Sequence, residues 1–169
     1  ALPISLIYRV LRLTGARPSE LTAARIEWIQ ETDQGRTLHL EAHKTRHETG
    51  QARLIPFGAQ VWPAVATAIG PRRFGPIFLN SRQRPWQVGQ VSRIFRELRN
   101  QLGLSPNLVL YSTRHEFGSA VTKQHGIHAA QVLLGHRSIK TTQRYAHLTT
   151  AELATLQATA IQDPIPGTT

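Results

Sequence analysis

Residues 134–147 read Leu134-Gly135-His136-Arg137-Ser138-Ile139-Lys140-Thr141-Thr142-Gln143-Arg144-Tyr145-Ala146-His147. A glycine breaks an apolar helix end, a short helix over 139–145 follows, and a tyrosine stands at its close among cationic side chains. A free phenol titrates near pH 10, so only roughly one in a thousand is ionised at neutral pH. For Tyr145 to attack anything, other residues must bring it positive charge and a proton acceptor.

Composition narrows what those residues would act on. The chain has 169 residues, 40% of them hydrophobic, enough for one well-buried domain. A formal net charge of +10, with Asp33 and Asp163 the only aspartates, favours a polyanionic partner, nucleic acid first. No apolar run approaches the roughly 20 residues needed to span a bilayer, and no signal peptide opens the chain. The expectation is a soluble, cytoplasmic protein without membrane association. Absence of cysteine excludes disulfides and thiolate metal sites. An apolar helical pattern begins almost at Ala1, as expected of a domain cut from a longer protein.

Periodicity predicts helices over 2–13, from Pro18, and over 59–69, 87–102, 113–124, 129–134, 139–145 and 150–161. Strands are expected over 25–30, 37–43 and 52–57, with Glu48-Thr49-Gly50 as a turn. The fold class is therefore mainly α (α+β), a helical domain with a small three-stranded antiparallel sheet. Residues 1–162 form that domain and 163–169 a disordered tail.

Three further clusters could serve Tyr145. Thr14-Gly15-Ala16-Arg17-Pro18-Ser19-Glu20-Leu21 puts an arginine at a helix start with a carboxylate three residues on to orient it. Tyr111-Ser112-Thr113-Arg114-His115 sets a phenol and a guanidinium three apart, able to face one point. His43-Lys44-Thr45-Arg46 places one of only three lysines at the tip of a hairpin that returns through Arg53-Leu54-Ile55-Pro56-Phe57. On the helix over 87–102, Val91, Phe95, Leu98 and Leu102 line one face and Arg93, Arg96 and Arg99 occupy others.

In this order the blocks resemble the catalytic domain of the tyrosine recombinase (phage integrase) family. That family shows a T-G-x-R-x-x-E-L box, a hairpin lysine, an H-x-x-R-H box, then L-G-H with a tyrosine nine residues after its histidine. The matches are Arg17, Lys44, Arg114, His136 and Tyr145, spread over most of the chain.

The resemblance implies a site-specific DNA recombinase or integrase that cleaves and rejoins strands through a 3′-phosphotyrosine. Arg17 and Arg114 would clamp the scissile phosphate, Lys44 would protonate the leaving oxygen, and His136 would bond the phosphate or assist the nucleophile. No cofactor and no metal is implied. It further implies double-stranded DNA as partner, with Gln90, Arg93 and Arg96 contacting groove or phosphate. An N-terminal DNA-clamping domain outside this chain is expected, and weak binding without it. A homo-tetramer on DNA would form through the C-terminal helix, with packing of that helix in cis, and a monomeric isolated domain, as the alternative. A bacterial, nucleoid-associated location follows.

One position departs from the family. Tyr111 stands where the H-x-x-R box begins with histidine, and a phenol is a poor proton acceptor at neutral pH. Two other functions fit parts of the pattern: a catalytically decayed DNA-binding domain, hinted at by Tyr111, and a type IB topoisomerase, whose boxes match less well. Taken singly, Arg17 and Glu20 read as a surface helix pair, Lys44 as a solubilising tip charge and Tyr145 as a packing residue. Their joint order and spacing outweigh those readings. The pairs His43/His47 and His125/His128 lack a third ligand for a metal, and scarce aspartate argues against two-metal phosphoryl chemistry.

Overall fold

The computed structural model of the protein describes residues 3–40, 53–135 and 150–160. Its first helix, α1 (Pro3–Thr14), opens on Pro3, whose fixed φ and missing N–H suit a first turn. Ile4, Ile7 and Leu11 share a face at helical spacing and are buried with Val10. Gly15 ends α1 in the left-handed region at φ 60°, and its N–H returns to the Leu11 carbonyl. After a two-residue link, α2 (Pro18–Ala23) begins on a second helix-starting proline, with Arg17 as its extended cap residue.

The sheet differs from expectation at its first strand. Residues 25–28 are not extended: Arg25 makes an isolated bridge with Pro76, and a 3-10 turn runs Ile26–Trp28. The cause lies far along the chain, where Gly75 accepts the Ile26 N–H and donates its own to Glu27. Strand β1 (Ile29–Thr32) therefore starts late, then pairs antiparallel with β2 (Gly35–Leu40), which pairs with β3 (Arg53–Pro56). Leu38 sits opposite both Ile29 and Ile55, and Leu40 opposite Arg53. That register turns Leu38, Leu40, Ile55 and Arg53 to the buried side, while Leu54 is exposed.

Helices α3 (Trp62–Ile69) and α4 (Val88–Gln101) follow, then α5 (Ser112–Leu134) and α6 (Thr150–Ala160). The two helices expected over 113–124 and 129–134 are the two arms of α5, separated by a kink at Gly126, whose φ of 84° and ψ of 164° are not helical. Helix α4 buries Val91, but the apolar stripe expected to continue does not stay covered: Leu98 is partly exposed and Leu102 is 70% exposed. α1 packs on α3 and α5, and α6 lies in cis against α5, β2 and β3. The α6 seam packs Leu153, Leu156 and Ala160 against the core and adds small and polar contacts. Gly58 leaves just enough room for Ala154, Thr37 bonds Thr150, and His125 bonds Thr159 at 2.7 Å. Among the described residues no helix is long and apolar enough to cross a membrane.

Candidate active site

The first arginine is built by the turn between α1 and α2. Thr14 is buried and its hydroxyl both donates to the Val10 carbonyl and accepts the Ala16 N–H, closing the turn. Gly15 is required there twice over. Its backbone is left-handed, and a Cβ would come within 2.4 Å of Phe117 Cδ1 and 2.8 Å of Leu134 Cδ2. The turn delivers Arg17 to the start of α2, where Glu20 Oε2 accepts the Arg17 backbone N–H at 2.6 Å and Oε1 accepts its Nη1 at 2.8 Å. Glu20 is buried whereas the Arg17 side chain is 32% exposed, so the carboxylate acts as a fixed anchor and the guanidinium reaches outward.

The second arginine arrives from the other end of the domain. Arg114, in the first turn of α5, is buried, and its Nη1 and Nη2 donate to the carbonyls of Gly15 and Leu134, each at 2.6 Å. Two of its five N–H donors are thereby used, and the Tyr111 side chain is a further hydrogen-bond partner of the guanidinium. Phe117, one turn later on α5, fills the space that the absent Gly15 side chain leaves. The T-G-x-R and R-H boxes thus interlock through a backbone carbonyl and an aromatic ring.

Sequence reasoning missed Arg53. It heads β3 and is buried beneath the other two arginines: Nη1 donates to the Leu54 carbonyl at 3.0 Å, Nη2 to Leu133 at 2.6 Å, and Nε faces Glu20 Oε1 at 3.7 Å. Gly135, left-handed at the end of α5, lies against it, and a Cβ there would fall 2.6 Å from Arg53 Cδ. A signal existed in the alternation of β3, which puts Arg53 on the same face as Ile55.

Electrostatics couple the cluster. Burial by itself would raise the Glu20 pKa, but Arg53, the Arg17 backbone N–H and the Arg17 guanidinium together hold the carboxyl below its usual range. Burial pushes Arg53 down to about 10, with Glu20 opposing and Arg114 and Arg17 adding repulsion; it stays charged at neutral pH. Arg114 is lowered by burial and then by Arg17, against Glu20 and Tyr111. Three guanidinium groups thus share one carboxylate, and the excess positive charge suits an anion of phosphate geometry.

Tyr111 precedes α5 by one residue, 41% exposed, with its ring edge-on to His115 at 5.1 Å between centroids. It bears on Arg114 electrostatically, so the structure brings Arg17, Tyr111 and Arg114 together. Lys44, His136 and Tyr145 lie outside the described residues. On α4, which packs beside α2, Gln90, Arg93 and Arg96 are all exposed. The Gln90 side chain accepts the Gln87 N–H at the helix start, and Arg93 pairs with Glu97 at 2.6 Å. Arg99 serves structure, donating to the Pro106 and Leu108 carbonyls to fold the following loop back on the helix.

The sequence model described as "Phage integrase family" matches residues 1–152. Tyrosine recombinase XerC of Pelobacter propionicus is 29% identical over 149 residues, covering 84% of this chain and 46% of that protein. The lambda integrase catalytic core superposes with a TM-score of 0.63 at 25% identity, covering 80% of this chain and 81% of that one. A lambda integrase dimer bound to a COC′ core site superposes at 0.64 with 24% identity, over 80% of this chain and 50% of that one. The chain thus spans about half the length of the curated relative it matches. Its mostly helical fold with a small antiparallel sheet is that of the recombinase catalytic domains.

Proposed function

The chain belongs to the phage integrase family, and from that premise we propose that it is the catalytic portion of a tyrosine-type site-specific DNA recombinase, cleaving and rejoining strands without a metal. The observation that carries this reading is the meeting of Arg17 and Arg114 around Glu20, 97 positions apart in the chain, with Arg114 bound to the turn that aims Arg17. Paired guanidiniums match two non-bridging phosphate oxygens and hold their charge as the pentavalent transition state gains negative charge.

Tyr145 Oη attacks the phosphorus in line, the bond from phosphorus to the 5′ oxygen breaks, and a 3′-phosphotyrosine forms. Lys44 gives a proton to the departing 5′ oxygen, and His136 bonds the phosphate or takes the phenol proton. Attack by a second DNA 5′-hydroxyl reverses the step and exchanges strands. Tyr111 contributes a hydrogen-bond donor at the phosphate beside Arg114.

Double-stranded DNA is the partner, approached by α4 through Gln90, Arg93 and Arg96, and the place of action is the bacterial nucleoid. Assembly as a tetramer on paired sites would use α6, whose apolar residues Leu153 and Leu156, packed in cis here, would dock onto a neighbour instead. Nicked suicide DNA tests the central claim: a covalent adduct that disappears in Tyr145→Phe is expected, and DNA binding with no adduct from the unaltered protein would overturn it in favour of a decayed binding domain.

A further inference from the structure

We propose that Arg53 is a positioning residue for the phosphate clamp, holding Glu20 and the α5 terminus in the arrangement that sets Arg17 and Arg114; this rests on the recombinase reading above. Arg53 cannot itself hold DNA, because it is 5% exposed and its guanidinium is directed inward. Three contacts place it at the centre of the cluster. It ties β3 to the Leu133 carbonyl, while the neighbouring Leu134 carbonyl takes Arg114, so one turn of α5 is held by two arginines from different elements. It faces Glu20 Oε1, the same oxygen that accepts Arg17 Nη1. It also fills the space beside Gly135, so the glycine after α5 is accommodated against the Arg53 stem.

The division of labour follows from exposure. Glu20 and Arg53 are each 4% exposed at the side chain, and Arg17 is the outward member. A buried carboxylate bonded only to Arg17 would be placed by the start of α2 alone and would more readily take up a proton; a second, buried cation on β3 also holds it from the sheet side. The charged groups facing Glu20 are Arg17, Arg53 and Arg114, and among the described residues no second carboxylate joins them. Arg53 therefore acts on the phosphate through Glu20 and Arg17.

Arg53→Met and Arg53→Lys test this with three measurements: adduct formation on nicked DNA, DNA affinity, and the titration of the Glu20 carboxyl followed by 13C NMR. Loss of positioning is expected to slow adduct formation in Arg53→Met on the order of 100-fold, with DNA affinity within about threefold of the unaltered protein. Glu20 should titrate at higher pH in Arg53→Met. Lysine should restore the titration, since it returns the charge, but only part of the rate, since it lacks the fork that reaches both carbonyls. An adduct rate within about threefold of normal in both variants, or a Glu20 titration that does not move in Arg53→Met, overturns the proposal. If Arg53→Met does not fold, Arg53→Lys decides through the rate: full activity overturns the proposal and partial activity supports it. If the unaltered protein forms no adduct, the recombinase reading fails, and the Glu20 titration alone still decides whether Arg53 controls that carboxylate.

Discussion

Arg114 Nη1 donates to the carbonyl oxygen of Gly15 at 2.6 Å, joining residues 99 positions apart. The bond fixes a buried guanidinium to the turn that starts α2, so the side chain on one box and the backbone of the other move together. A buried charged donor left without its acceptor costs more than the bond contributes, which makes this contact hard to lose piecemeal.

Gly15→Ala should destabilise the domain. A non-glycine residue in left-handed backbone costs about 1–3 kcal/mol, and here the new Cβ also meets Phe117. Urea denaturation measures it, and a loss below about 0.5 kcal/mol, the range of ordinary surface changes, would remove this account of the turn.

Replacing Glu20 with glutamine strands Arg53 in the core. Breaking a buried pair costs roughly 3–5 kcal/mol, and the pH dependence has a definite sign. The unfolded carboxyl titrates near 4.3 and the folded one lower, so the stabilisation is fully present above about pH 4.3 and is lost as pH falls through the folded value. The stability gap between the unaltered protein and Glu20→Gln should therefore narrow on acidification. A gap that stays constant down to about pH 3 would contradict the assignment.

Arg96 and Arg99 lie three residues apart on α4 yet should behave differently. Arg96 is exposed and forms no ion pair among the described residues, so Arg96→Ala should weaken binding on all DNA alike and reduce the salt slope by roughly one. Arg99→Ala should instead release the loop bound through Pro106 and Leu108. Filter binding across salt concentrations separates them, and identical salt slopes for Arg96→Ala and the unaltered protein would exclude a phosphate contact.

Tyr111→His should preserve or raise adduct formation, since imidazole adds a proton acceptor beside Arg114 without removing a donor. Single-turnover cleavage is the measurement. A large loss of adduct would show that the phenol has a role histidine cannot take over.

The boxes were legible because their chemistry is local. Thr14-Gly15-x-Arg17 announces a helix stop and a helix start within four residues, and Glu20 sits one turn on, where only short-range geometry is needed to bond the Arg17 N–H. The two arms of α5 were legible as separate helices, since Gly126 interrupts the pattern locally where the backbone leaves the helical region. Residues 25–28 were misread as strand because their hydrogen bonds go to Gly75, a partner that no local pattern reveals. Arg53 was overlooked for a related reason: its alternation with Ile55 points inward, but an arginine inside a core is acceptable only with Glu20 and Leu133 in place to receive it.

From sequence alone came the fold class and the two box arginines with their expected meeting at one site, because caps, turns and periodicities depend on near neighbours and the order of the boxes is written in the chain. Tertiary structure decided which of these side chains share a carboxylate, that Arg114 is held by backbone carbonyls of Gly15 and Leu134, and that Arg53 completes the cluster. Burial is a property of the packed whole, and a buried charge takes its role from partners that only folding brings within reach.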